Sequence, residues 1–244
     1  ILLLEPTWLL AFLVNGILIF IAQRLPLLTP RGWFHAGALG TILLGCLGFS
    51  GWFAVVAYLC FGSLVTRLGF FRKQEYGLEE KRGGKRGPEN LWGSAATGAL
   101  IAIFIKLGLE PKSSLMIAFA ASFSAKLADT FGSEIGKLWG KKAFLITSFR
   151  PVSIGTDGAI SLEGTIASAF GSFLMTITMC MLSIISIGIP FLIVFFSGFL
   201  ATLLESILGA TIQSRYSLFT NEFINFLQTA IAASFAFTIS VYFF

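Results

Sequence analysis

Charge is what this chain has least of. Asp, Glu, Lys and Arg make up 12% of its 244 residues, against about a quarter in a soluble domain. One histidine is present, His35, and three cysteines, Cys46, Cys60 and Cys180. The cysteines all lie in apolar runs and have no zinc-like spacing, so neither a cysteine metal site nor a disulfide framework is expected. A single histidine near the start of an apolar run reads as a structural hydrogen-bonding group. No cleavable leader is evident, although the chain opens without methionine.

Apolar residues fill the gap. Hydrophobic residues are 56% of the chain, 27 of them phenylalanine, and the mean hydropathy is +0.86. Runs of about 20 apolar residues are long enough to cross a bilayer as helices. The pattern predicts an all-α, polytopic transmembrane bundle with about eight spans, folded as one domain over residues 1–244. Expected spans are Thr7–Ile21, two within Trp33–Val65 turning near Phe49-Ser50-Gly51, Asn90–Leu107, and Ser114 to about Phe131. Two more lie within Gly164–Leu204, turning between Ser183 and Pro190, and the last is Phe223–Phe244. A re-entrant segment in either double-length run would change the count.

Charge sets the orientation. Arg24, Arg31, Arg67, Arg72, Lys73, Lys81, Arg82, Lys85, Arg86, Lys137, Lys141, Lys142, Arg150 and Arg215 fall in alternate connections. The other connections receive Lys112, and Lys106 can reach toward them. Lys and Arg concentrate on the cytoplasmic side, so both termini are expected outside and the four basic loops inside.

Three polar constellations share that face. The first is Lys81-Arg82-Gly83-Gly84-Lys85-Arg86-Gly87, followed by Pro88-Glu89-Asn90. Glycines let backbone N–H groups approach a phosphate, and the cations add charge-assisted hydrogen bonds. Pro88 suits a first helical turn, whose N-terminus would point at the anion. Such a loop could equally serve membrane orientation by touching anionic lipid heads. It lacks the strand and GK[ST] ending of a Walker A motif.

The second is ADTFGSEIG, residues 128–136. On a helix Ser122, Lys126, Asp129 and Ser133 share a face, while Ala118, Ala121, Ala125 and Ala128 permit close packing. Glu134 adds a second carboxylate. Such a set suits Mg²⁺, or Lys126 and Asp129 form a helix-end ion pair. The third is Gly155-Thr156-Asp157-Gly158 with Ser161. It is a turn with positive-φ options at both glycines, feeding a helix that Ser161 could cap. Smaller features are Glu205 with Gln213, and Asn221, Asn225 and Gln228 on one helix face.

KRGGKRGPENLWG, ADTFGSEIG, GTDGAISLEGT, ESILGATIQ and TNEFINFLQT, in this order, resemble the phytyl-phosphate kinase family of integral membrane proteins over roughly residues 60–230. That family serves tocopherol and phylloquinone synthesis, and is distantly similar to phytol kinase, dolichol kinase and CDP-diacylglycerol synthase. The resemblance implies transfer of a phosphoryl group from a nucleoside triphosphate, CTP by analogy, to an isoprenyl monophosphate. The nucleophile would be a phosphate oxygen, which needs positioning and charge neutralisation rather than a strong base. Asp129, Glu134 and Asp157 would then hold Mg²⁺, with Asp129, Lys126 and Asp157 at the chemistry. Lys81, Arg82, Lys85, Arg86, Asn90, Ser133, Gly155 and Thr156 would hold phosphates.

The same sites could serve a cytidylyltransferase acting on a lipid phosphate, or a transporter of an anionic metabolite. A kinase releases nucleoside diphosphate, a cytidylyltransferase pyrophosphate, and a transporter consumes no nucleotide. No nucleic-acid partner is expected. A plasma, inner or thylakoid-type membrane fits equally, with the active site on its cytoplasmic face.

Overall fold

The computed structural model describes residues 6–213 and 219–243. Arg215, expected in a cytoplasmic loop, and Phe244, the expected end of the last span, lie outside the described residues. The chain is mostly helical. In order come α1 (Pro6–Ala22), α2 (Pro30–Arg67), a short α3 (Phe70–Glu75), α4 (Pro88–Lys106), α5 (Lys112–Trp139), α6 (Leu162–Met181), α7 (Ile189–Leu208) and α8 (Asn221–Phe243). Among the described residues four helical stretches are long and apolar enough to cross a membrane: Pro30–Arg67, Leu162–Met181, Ile189–Gln213 and Asn221–Phe243.

The α2 helix opens with Pro30 in its first turn and with Thr29 as cap, whose hydroxyl accepts from the Gly32 amide at 3.0 Å. Helical geometry then breaks at Gly48, with φ 66° and ψ −160°. Asn15 reports the effect of this break. Its side chain lies against Gly40 and accepts from the Trp52 indole at 2.9 Å. A straight helix would set Gly40 and Trp52 about 18 Å apart. The helix therefore folds back on itself at Gly48, one residue before the turn expected from sequence. Only a residue without Cβ takes this conformation cheaply.

The α5 helix is the core of the bundle. Ala118, Ala121, Ala125 and Ala128 are buried, as are Phe119, Phe123 and Leu127, and the helix packs against α6, α7 and α8. The expected span ends near Phe131, but the helix runs on to Trp139. Gly132, Ser133 and Glu134 are thus helical rather than part of a loop. The neighbouring helix explains why. A methyl group on Gly164 would stand 2.8 Å from the Gly132 carbonyl, and one on Gly171 would stand 2.8 Å from that of Leu127. With glycine at these positions α5 and α6 touch backbone to backbone, which supports α5 past its apolar stretch.

The all-α expectation needs one correction. Between α5 and α6 lie three short antiparallel strands, β1 (Ala143–Leu145), β2 (Pro151–Val152) and β3 (Ala159–Ile160), in the order β2-β1-β3. Ala143 pairs with Val152, and Leu145 pairs with Ala159. The strand residues are all apolar, and the segment they join lines the end of the bundle with Ala143, Ala159 and Ile160.

His35 accepts a hydrogen bond from the Trp92 indole at 3.0 Å, the structural role expected of it. The three cysteines are free.

Candidate functional site

A polar cavity of about 710 Å³ lies at one end of the bundle. It gathers the last turns of α2, α5 and α7 and the first turns of α4, α6 and α8. Three helix N-termini, the positive ends of their dipoles, therefore meet there.

The basic loop forms one wall. Lys81–Gly84 makes a single 3₁₀ turn in which Arg82, Gly83 and Gly84 all have positive φ, at 59°, 63° and 77°. Two adjacent glycines make this run feasible. Lys81, Lys85 and Arg82 remain exposed along it, and Arg82 pairs with Glu89. Arg86 turns inward. Its Nη1 donates to the Tyr58 hydroxyl at 2.7 Å, and its guanidinium lies over the Tyr58 ring. Tyr58 in turn donates to Ser94 at 3.1 Å. Asn90 accepts from the Gly87 amide at 3.1 Å, closing the start of α4.

The opposite wall is α5. Lys126 is 5% exposed. Its ammonium is held between Asp129, one turn on, and the Asn225 carbonyl oxygen of α8 at 2.8 Å. The helix-end ion pair thus forms, and it does so inside the cavity. Glu205 of α7 stands within electrostatic reach of both Asp129 and Lys126. Gln228, two turns below Asn221, donates to the Ala125 carbonyl at 3.1 Å and to Thr202 at 3.0 Å. The Asn225–Gln228 face is the polar seam expected from its spacing.

The third wall is the Gly-Thr-Asp-Gly turn. Gly155 and Gly158 have φ of 88° and 74°. Ser161 caps α6, accepting from the Gly164 amide at 3.1 Å. Gly158 sits against Ser206 and Ala210 of the α7 end, with no room for a side chain. Asp157 is exposed on the rim.

Lys81, Arg82, Lys85, Arg86, Asn90, Lys126, Asp129, Ser133, Glu134, Gly155, Thr156 and Asp157 all line this one cavity. Their surroundings differ. Glu134 is 2% exposed and is paired with Lys73, with the Lys137 ammonium at 3.9 Å. Its carboxylate is committed to cations of the protein. Among the described residues no group of three or more His, Cys, Asp or Glu side chains is close enough to hold a metal ion. Asp129, Glu134 and Asp157 line one space without converging on one point.

Several contributors carry no sign in the sequence that they belong to the site. Lys73 looks like one more basic loop residue, yet it is 1% exposed and also donates to the Thr66 carbonyl at 2.8 Å. Lys137 pairs with Glu80 of the basic loop at 2.9 Å. Burial pushes the Glu80 carboxyl up, and the Lys137 charge more than offsets this, holding it below its ordinary value. Tyr58 and Ser94 sit in apolar helices and carry no signal beyond their polarity.

A family model described as "Integral membrane protein DUF92" matches residues 13–233, reaching further toward the N-terminus than the motifs do. The chain is 44% identical to an uncharacterized membrane protein, sll0875, of Synechocystis, over 94% of this chain and 90% of that protein. It is 35% identical to "Protein VTE6, chloroplastic" of Arabidopsis thaliana, over 94% and 71%. It is 28% identical to the membrane protein MJ0933 of Methanocaldococcus jannaschii, over 91% and 89%. No solved structure matches.

Proposed function

The chain belongs to the DUF92 family of integral membrane proteins, and on that footing we propose that it is a membrane kinase. Its reaction would move the terminal phosphoryl group of a nucleoside triphosphate, CTP by the family resemblance, onto an isoprenyl monophosphate such as phytyl phosphate. The observation that carries this reading is the cavity itself. It combines a glycine-rich cationic loop, three helix N-termini and a buried lysine paired with a part-buried aspartate in one space at the end of an apolar bundle.

A phosphate oxygen of the acceptor attacks the terminal phosphorus of the donor. One P–O–P linkage forms, and the bond to the departing nucleoside diphosphate breaks. The nucleophile is already anionic, so the protein's work is positioning and neutralisation. Lys81, Lys85 and the loop amides suit the mobile phosphates of the nucleotide. Arg86, fixed by Tyr58, and Lys126, fixed by Asp129 and Asn225, offer pre-set positive charge deeper in the cavity. Asn90, Ser133, Gly155 and Thr156 add hydrogen-bonding groups around the phosphates.

Mg²⁺ belongs to the proposal in a particular form. The carboxylates do not fit a ready-made cage of three. They fit an ion that arrives on the nucleotide phosphates and takes one or two protein oxygens, those of Asp129 and Asp157. Bound there, it would neutralise charge on the transferring group. Glu134 holds the wall instead.

In this reading the helices make eight crossings, with the two arms of α2 counted separately. Both termini lie outside and the cavity faces the cytoplasm. The test is an assay of purified protein with Mg²⁺, each labelled nucleotide and a panel of isoprenyl monophosphates. The expected products are isoprenyl diphosphate and nucleoside diphosphate. Pyrophosphate release, or no nucleotide turnover with any acceptor, overturns it.

A further inference from the structure

A second, smaller cavity of about 240 Å³ lies on the other side of the basic loop. It is bounded by the α1–α2 connection and by Lys85. Two backbone hydrogen bonds stitch these segments together: the Thr29 amide donates to the Arg86 carbonyl at 3.0 Å, and the Arg86 amide donates to that of Leu27 at 3.1 Å. The pocket is therefore part of the fold's framework and does not depend on a chance meeting of side chains.

Its chemistry is one-signed. Arg24 and Lys85 line it, and neither has a carboxylate partner among the described residues. Arg67 reaches its rim, donating to the Pro26 carbonyl. Trp33 lines it too and is 8% exposed, and its indole N–H finds no acceptor in the protein. A buried donor left unpaired costs free energy, and a small turn of the indole toward the pocket would let a ligand oxygen satisfy it. Two cations and an unpartnered N–H donor around one pocket, with no acid in its lining, select an anion. A phosphate group suits them best, because the arginine fork and the ammonium can take different oxygens of the same group.

Position identifies the source. Ile17, Phe20 and Ile21 of α1 are exposed immediately before Gln23 and Arg24. An outward apolar surface that ends at a cationic pocket is where a bilayer changes from acyl chains to head groups. We propose that this pocket binds a phosphate group, and that in the membrane the phosphate is carried by the head of an anionic phospholipid. The site adjoins the main cavity across Lys85, which lines both. Arg24 and Trp33 belong to it and not to the main cavity, so it does not depend on the kinase reading, and it joins lipid binding to the placement of the Lys81–Gly87 loop.

Two variants test it. Arg24→Gln removes charge from an exposed position, and Trp33→Phe removes the indole donor while keeping an aromatic ring. Native mass spectrometry of protein released from nanodiscs containing phosphatidylglycerol or phosphatidylcholine measures the lipid retained. Equilibrium dialysis with labelled inorganic phosphate measures the free anion. Wild type is expected to retain phosphatidylglycerol in preference to phosphatidylcholine, and each variant to lose affinity about tenfold, as for a lost charge-assisted hydrogen bond. Inorganic phosphate binding that falls in both variants without any lipid preference supports the phosphate site and overturns the lipid source. Affinities for both ligands that are unchanged in both variants overturn the site, since any remaining binding would belong to the main cavity.

Discussion

Lys73 and Glu134 form an ion pair in which neither side chain keeps more than 2% of its surface exposed. They stand 61 residues apart in the chain, and the pair fastens α3 to the end of α5. Removing one partner leaves an uncompensated buried charge, which costs about 3–5 kcal/mol. Lys73→Met and Glu134→Gln are each expected to lower the melting temperature of the detergent-solubilised protein sharply. The double variant should recover much of the loss. If Glu134→Gln leaves stability intact and changes only the Mg²⁺ requirement, the pair does not anchor α3.

Asp129 has a different part. It holds the Lys126 ammonium at the cavity wall and is a proposed ligand of the incoming ion. Asp129→Asn keeps the shape and removes the charge. Turnover is expected to fall about 100-fold or more, in the range for loss of one electrostatic contributor in a water-poor site. A Mg²⁺ titration of kcat checks this, and turnover near the wild-type rate would take Asp129 out of the chemistry.

The Glu80–Lys137 contact makes the loop's docking sensitive to acid. The folded-state pKa of Glu80 lies below the ordinary 4.5. Its stabilising contribution is therefore complete above 4.5 and is lost as the pH falls through the lowered folded value. Wild type should be the more stable protein at pH 6 in a comparison with Glu80→Gln. The difference should shrink as the pH approaches 3. Melting curves of both proteins across that range measure it, and a constant difference would contradict the assignment.

How much of the molecule is legible in its sequence depends on the kind of signal each part carries. The Lys81–Gly87 loop is readable because cations and glycines alternate within seven residues and no apolar element can absorb them. The Gly155–Gly158 turn and the Ser161 cap are readable because turn and cap chemistry is local. Lys73 is not readable. In Phe70–Glu75 it looks like any solvated lysine, and only a partner 61 residues away distinguishes it. Glu205 stands out beside Gln213, yet its relevant neighbours are Asp129 and Lys126 on another helix. The strands over Ala143–Ile160 escape a sequence reading because two- and three-residue strands have no period to detect.

Packing of α5 on α6 gives a fourth expectation. At Gly171 a methyl group would come within 2.8 Å of the Leu127 carbonyl and 3.1 Å of the Ala128 Cα. Backbone atoms cannot move aside as a flexible side chain can. Gly171→Ala should cost about 1–3 kcal/mol, typical of overpacking, measured as a lowered melting temperature. Gly16→Ala, where nothing lies within 4 Å of the added methyl, is the matched control and should not destabilise.

The same backbone-to-backbone seam fixes one wall of the cavity. With glycine facing glycine at 132, 136 and 164, α5 and α6 have no side-chain cushion along which to slide, so Lys126 and Asp129 are presented from a fixed plate. The facing wall is a 3₁₀ turn and two connections held by a few hydrogen bonds. Any ligand that enters would then meet the Lys126 and Asp129 charges already in register, and whatever fitting it requires would fall to the loops.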